Sequence, residues 1–397
     1  MILAFNGLAW GFEHVPFDAA LLASLIEAFP DERIHFFGER DHCQQVLRYL
    51  QPRLGSAADI TWGDIKLPPR LASPRQRLAA DLRIVTTMLS RARALQATRV
   101  VACYVHWATG VLALKALQGL YRRGPIGLIH HGSLLQLVAS RRFHPLASLA
   151  NGRLRQIVLA EPIRAEVARR LPRLGPSLRA IRHPYFFEEA TPSELPTGAP
   201  MTFSFLGLID ETKGFDAFAG LAATFGRSHG EAARFDLIGG TRTGALPASV
   251  NAWVKTYGSG GPIPRDVFER QLRQTTYAVF PFDPVYYRLV ASGSVLDALA
   301  AGKPFIALRN PQLEELLQAM GDIGYLCDSV GELEAVVAGI LREPPRERYR
   351  RQSENILARR QIFGATAVAA QLREILAADE GGGARGTRGV DGPSRAG

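Results

Sequence analysis

Short apolar, β-branched runs alternate with longer segments of helical periodicity along this chain, and the whole series occurs twice. That alternation is the pattern of parallel α/β sheets, in which each strand is buried on both faces and is followed by a crossover helix. In the first half the runs are MILAF (1–5), RIHFF (33–37), VVACY (100–104), IGLI (126–129), QIVLA (156–160) and RAIRH (179–183). Residues 17–29, 76–97, 108–123 and 161–171 between them place apolar side chains at helical spacing. A Pro/Glu/Thr-rich stretch, FFEEATPSELPTGAP (186–200), has no periodicity and reads as a linker. The pattern then restarts with TFSFLG (202–207), RFDLIG (234–239), WVKTYG (253–258), YAVFPF (277–282), PFIALR (304–309) and GYLCD (324–328).

Two such series predict two Rossmann-like, doubly wound parallel-sheet domains facing a central cleft. The first spans 1–185 and the second 201–378, with 186–200 joining them. The helical region 345–378 either caps the second domain or crosses back to the first. A length of 397 residues suits two cores better than one. The Gly/Arg-rich residues 379–397 carry too little apolar surface to offset chain entropy and are expected to be disordered.

Charge is placed unevenly. Residues 51–150 hold 14 Lys/Arg against 3 Asp/Glu, whereas residues 201–397 hold 22 of each. A basic field confined to one part of one domain suits an anionic membrane surface, a lipid diphosphate or nucleic acid, and equally an arginine-rich solvated face. Three scattered cysteines (Cys43, Cys103, Cys327) have neither metal-ligand nor disulfide spacing, which suits a reducing cytosol. The first residues lack a basic stretch followed by a long apolar run, and no apolar run of about 18 residues exists, so neither a signal peptide nor a spanning helix is expected.

Two segments of the second half carry chemistry. In FLGLIDETKGFDAF (205–218) a strand ends at Gly207 and a helix starts at Lys213-Gly214. Backbone N–H groups and a lysine at such a strand-to-helix switch suit an anion. In FPFDPVYYRLVASGSVLDALAAGKPFIALRNP (280–311) an aromatic loop leads into the small-residue turn Ala291-Ser292-Gly293-Ser294, which opens a helix carrying Asp297. Small residues there let a diphosphate approach the backbone closely, and the guanidinium of Arg288 suits phosphate oxygens. Asp297, one turn into the helix, is placed to accept hydrogen bonds from a ribose diol, or is simply a solvated first-turn acid.

FLGLIDETKG followed by SGSVLDALAAGKPFIA resembles the donor half of GT-B glycosyltransferases, particularly the retaining family 4, and the likeness holds in order and spacing across 202–330. A weaker likeness covers RQIVLAEPIRAEVARRL (155–171) and the HPYF segment. The resemblance implies transfer of a hexose-type sugar from a nucleotide diphosphate sugar, as substrate, to a saccharide or lipid-linked saccharide acceptor. It implies that Lys213 neutralises the donor diphosphate, that Asp297 holds the ribose, and that Gly207, Gly214, Ser292, Gly293 and Ser294 shape the nucleotide site. It also implies a histidine at the end of a first-domain strand facing the sugar. His131, followed by Gly132-Ser133, matches that role better than His130, and His106 is a lesser candidate. The family arginine falls on Leu208 and the first acid of its E-x7-E element falls on Leu289, so Arg288 is the expected replacement for the lost positive charge.

No D-x-D, HExxH, Walker A or Cys/His cluster occurs, so neither a metal nor a cofactor is expected. The expected protein is cytoplasmic, with a peripheral contact to an anionic membrane through the basic segment that includes Arg70, Arg75, Arg77, Arg83, Arg91 and Arg93. Nucleic acid is not an expected partner. The alternatives are a sugar-nucleotide epimerase of the same architecture and a degenerate, non-catalytic nucleotide-sugar-binding protein.

Overall fold

The computed structural model describes residues 1–54, 59–67, 73–103, 107–132, 134–139, 153–198 and 200–377. Arg70, His106, Ser133 and the expected tail lie outside them. Each half folds around one parallel sheet. The first has seven strands: β1 (Ile2–Asn6), β2 (Ile34–Gly38), β3 (Ile60–Asp64), β4 (Arg99–Cys103), β5 (Ile126–His130), β6 (Leu154–Val158) and β7 (Leu178–Ala180), in the order β3-β2-β1-β4-β5-β6-β7. The second has six: β8 (Met201–Leu208), β9 (Ala233–Gly240), β10 (Val254–Thr256), β11 (Tyr277–Phe280), β12 (Phe305–Leu308) and β13 (Gly324–Cys327), in the order β10-β9-β8-β11-β12-β13. In both, the order reverses beside the first strand, and every pair is parallel. The expected doubly wound architecture is therefore present, with its strand-order switch points at the carboxyl ends of β1/β4 and β8/β11, the places where such sheets hold ligands.

Helices cover both faces of each sheet. In the first domain they are α1 (Val15–Ala28), α2 (Arg40–Leu54), α3 (Pro74–Ala94), α4 (Trp107–Leu117), α5 (Leu134–Ala139) and α6 (Glu161–Arg170). In the second they are α7 (Phe215–His229), α8 (Arg265–Gln274), α9 (Gly293–Ala300), α10 (Pro311–Met320), α11 (Val330–Arg342) and α12 (Arg346–Arg359).

The helix α13 (Ala365–Leu376) leaves the second domain and returns to the first. Val368, Ala369, Leu372 and Leu376 are buried in one core cluster with Ala19, Leu22 and Leu25 of α1. Arg99 Nε donates to the Leu376 carbonyl at 2.9 Å, and Arg373 Nε to the Ala28 carbonyl at 3.0 Å. Of the two outcomes for region 345–378, each holds for one part, because α12 stays on the second domain while α13 completes the first. A stripe of four buried apolar side chains, worth roughly 1.5–3 kcal/mol for each large one, needs a partner face, and α1 supplies it.

Two further elements, α2 and β3, have no counterpart among the runs read from the sequence. Only His42, Cys43, Val46 and Leu50 of α2 are buried, a sparse stripe in a polar segment. The edge strand β3 (ITWGD) is half exposed, and it packs through Gly63, whose absent Cβ would lie 2.2 Å from the Phe37 ring. Edge strands lack the continuous apolar run that marks central ones.

Candidate functional site

At the carboxyl edge of the second sheet, β8 ends in Gly207-Leu208 and a turn capped by Asp210 follows. The Asp210 carboxylate accepts from the backbone N–H groups of Thr212 (2.9 Å) and Lys213 (3.1 Å). That cap holds the lysine backbone at the mouth of α7. Gly214 then adopts φ +69°, and a Cβ there would stand 1.9 Å from the Pro281 carbonyl oxygen, so only glycine lets the turn close on β11. The Lys213 ammonium donates to Ser294 Oγ at 3.2 Å, across the crevice between β8 and β11. Gly207 makes this reach feasible. Its φ is +89°, and a Cβ would meet Ser294 Oγ at 2.9 Å and Lys213 Nζ at 3.0 Å. Burial lowers the Lys213 pKa.

Ser294 belongs to the first turn of α9, whose N-cap residue Ser292 makes no side-chain capping bond. α10 and α11 differ, since Asn310 and Ser329 cap them through their side chains. The first N–H groups of α9 thus meet a lysine at a helix entrance without a side-chain acceptor, an arrangement that favours an anion. The preceding loop is held by Gln312, whose amide donates to the carbonyls of Tyr287 (2.5 Å) and Val290 (2.8 Å), and by Phe282 stacked 4.0 Å from Tyr287.

The structure brings Gly207, Lys213, Gly214, Ser292, Gly293 and Ser294 to this crevice. Arg288 is placed differently. It is exposed on the short turn Tyr286–Arg288, and among the described residues it makes no hydrogen bond or ion pair with that group. Leu289 beside it is 6 % exposed and packs in the core cluster of the first domain with Leu128, Leu134 and Val158. The position where the resembled family carries an acid is therefore an apolar contact between the domains.

Asp297 lies one turn deeper and is already engaged. Its Oδ1 accepts from Tyr185 Oη (2.5 Å) and Arg265 (2.8 Å), and Arg265 also donates to Tyr185 Oη at 2.8 Å. Tyr185 follows the last strand of the first domain, and Arg265 opens α8. Burial, then the neighbouring Asp297, raises the Tyr185 pKa well above the ordinary phenol, so Tyr185 is the neutral donor. These three side chains form one wall of a 370 Å³ cavity that also contains Tyr49, Arg53 and Lys303. Lys303 donates to Ser193 Oγ at 3.0 Å, and burial lowers its pKa to about 8.

In the first domain, β5 ends at His130 and His131 is the residue after it. His130 is buried with Nε2 2.6 Å from Gln156 Oε1. His131 is more exposed, and its ring lies against Phe17 (4.1 Å), His14 (4.9 Å) and His183 (5.9 Å). Burial, then the fields of His14 and His183, drives the His131 pKa well below its ordinary value. His14 and His183 fall to about 4, chiefly through burial. The cluster is therefore neutral at pH 7. The loop carrying Gly7 and Gly11 is braced from below. Asn6 Oδ1 accepts from the Ala9 N–H at 2.9 Å, and the buried Asp18 carboxylate takes Asn6 Nδ2 (2.6 Å) and His42 Nε2 (2.8 Å). Among the described residues no three His, Cys, Asp or Glu side chains are grouped so as to hold a metal.

The loops at the two carboxyl edges meet. Arg242, after β9, pairs with Glu13, after β1, and Gly132 approaches Val290, whose Cγ2 would lie 3.4 Å from an added Cβ. No family model and no curated protein matches the chain. Solved structures do. Sucrose-phosphate synthase from Thermosynechococcus elongatus superposes with a TM-score of 0.66 at 13% identity, over 94% of this chain and 98% of that one. HepE of Anabaena, solved with UDP and glucose, does so with a TM-score of 0.66 at 15% identity, over 95% and 99%. The chain has the GT-B fold. WaaG, a glycosyltransferase involved in lipopolysaccharide biosynthesis, is similar at a TM-score of 0.58 and 11% identity, over 95% and 100%.

Within the GT-B frame, Arg265, Arg242, Glu13 and His14 stand beside these residues without having been singled out by any sequence motif, whereas Tyr185 and His183 belong to the HPYF segment. Arg242 follows a strand-ending Gly239-Gly240 pair, a signal of the same kind as Gly207 before Lys213. Arg265 carries no such signal, and nothing in HPYF points Tyr185 at Asp297; only the packing of that segment against α8 and α9 brings the three together.

Proposed function

We propose that the chain is a glycosyltransferase that moves a hexose-type sugar from a nucleoside diphosphate sugar to a saccharide or lipid-linked saccharide acceptor, with retention of configuration. The observation that carries this reading is the Lys213–Ser294 contact over Gly207, at the uncapped entrance of α9. Departure of a nucleoside diphosphate places negative charge on its phosphates. A desolvated ammonium and fixed backbone N–H groups stabilise that charge without reorganising. Asp297 would accept from the ribose hydroxyls through the carboxylate that Arg265 and Tyr185 hold in place. His131, neutral and on the opposing domain, would face the transferred sugar, with closure of the cleft excluding water. Arg288, exposed at the rim, would meet the acceptor or the distal phosphate. The superposed HepE, solved with UDP and glucose, supports a donor of this class.

A thermal-shift panel of UDP-, GDP-, ADP- and dTDP-sugars tests the donor class, since a ligand at 100 times its Kd adds about 2.7 kcal/mol. One nucleotide is expected to raise the melting temperature clearly above the others and to be released as diphosphate only with acceptor present. Binding without acceptor-dependent release would assign the chain to the non-catalytic alternative, for which the apolar Leu208 and Leu289 speak.

We further propose that the acceptor is met at an anionic membrane surface. Arg75, Arg77 and Arg83 of α3 are exposed beside Leu78 (39 %) and Leu82 (38 %), a basic and apolar face suited to a headgroup layer. No helix among the described residues is long and apolar enough to cross a membrane. The protein is expected to sediment with vesicles of phosphatidylglycerol and not of phosphatidylcholine, and to lose that binding on the triple change R75E/R77E/R83E. Equal sedimentation with both vesicle types would remove the proposal.

A further inference from the structure

The resembled family places an arginine directly after the glycine of its lysine segment, and here that position is Leu208. A diphosphate bound by Lys213 alone would keep most of its charge uncompensated. The structure shows where a second cation stands. Strands β8 and β9 run in parallel with Gly207 opposite Gly239 and Leu208 opposite Gly240. They press together tightly, since a Cβ on Gly239 would lie 1.9 Å from the Gly207 carbonyl oxygen. The loop leaving β9 therefore runs beside the loop that carries Lys213. Arg242 is two residues along it.

That loop is built rather than slack. The Thr241 N–H donates to the Gly260 carbonyl at 2.8 Å, and its hydroxyl donates to the Ala245 carbonyl at 3.1 Å. Arg242 itself is 57 % exposed and pairs with Glu13, which lies in the first-domain loop just before His14. Its charge reaches both sides of the cleft. Burial chiefly lowers the pKa of both Lys213 and His14; against the opposing pull of Asp210 and Asp297 on Lys213 and of Asp18 on His14, the field of Arg242 adds a smaller lowering to each. One guanidinium thus acts on both Lys213 and His14, the two faces between which a sugar diphosphate would lie.

We propose that Arg242 is the second cation of the donor diphosphate site, displaced by one strand from the family position now occupied by Leu208, and that Glu13 holds it until the diphosphate takes it over. This rests on the donor reading given above. Glu13 then serves as an interdomain latch. A phosphate offers the exposed guanidinium two oxygens and a larger charge than one carboxylate, so donor binding exchanges the Arg242–Glu13 pair for an Arg242–phosphate pair, while Glu13, 15 % exposed, keeps the Trp10 N–H.

The test is calorimetric titration of UDP, GDP and ADP into the intact protein, with Arg242→Ala, Glu13→Gln and Lys213→Ala alongside and the ligand-free melting temperature of each recorded. Arg242→Ala is expected to weaken the bound nucleotide by about tenfold or more, and by clearly more than Glu13→Gln, which breaks the same ion pair. Glu13→Gln is expected to bind as tightly as the wild type or more tightly, since it removes a competitor. Wild-type affinity in Arg242→Ala, with weakened binding in Lys213→Ala, would overturn this inference and leave the donor site standing. Equal weakening in Glu13→Gln and Arg242→Ala would also overturn it, by showing that the ion pair only positions the domains. Failure of the wild type to bind any of the three would sink the donor reading itself.

Discussion

Replacing Lys213 by alanine is expected to lower donor turnover by roughly 10²–10³-fold, the usual effect of removing one preorganised donor to a developing oxyanion. The ligand-free melting temperature should stay level or rise slightly. This combination follows from how the lysine is held. Its ammonium donates to Ser294 Oγ, a neutral acceptor, and burial already disfavours its charge. In the ligand-free protein it therefore contributes little stability and costs desolvation, and an anion is what would compensate it. Steady-state kinetics with the best donor from the panel, paired with a melting curve, checks both halves. A melting temperature that falls as far as activity does would mark Lys213 as structural, and the phosphate role would be lost.

Leu289→Glu is expected to do the opposite of restoring the family pattern. The side chain is 6 % exposed within the first domain's core cluster, although it belongs to the second domain's loop. A glutamate there forfeits roughly 2–3 kcal/mol of leucine burial and brings an acid into an apolar contact among Leu128, Leu134 and Val158. A total of about 3 kcal/mol or more is expected. At roughly 2–4 °C per kcal/mol the melting temperature should drop by about 6–12 °C, whereas Leu289→Met should hardly change it. Activity should fall with stability. An unchanged melting temperature with improved turnover would mean that position 289 faces the donor sugar after all.

These two positions separate what local sequence specifies from what long-range packing adds. The two-domain parallel architecture is legible in the sequence because central strands, buried on both faces, must be continuous apolar runs. The crevice that gathers Gly207, Lys213, Gly214 and the Ser292–Ser294 turn is legible because these segments are local, each set by what a strand-to-helix turn tolerates sterically. α2 and β3 leave no comparable mark because a half-exposed edge needs few apolar residues. The return of α13 stays open in the sequence because its stripe fits any apolar face, and only the packing of α1 settles which one. Adjacency in sequence favours Arg288 as the second cation, yet its neighbour Leu289 is drawn into the opposing core and leaves the arginine at the rim. The Arg265–Tyr185–Asp297 group and the Arg242–Glu13 pair join residues 32 to 229 positions apart. Local chemistry determined which cations and small residues stand at each strand-to-helix turn. The approach of two sheet edges, driven by burial of apolar surface between them, decided which of those side chains share one cleft.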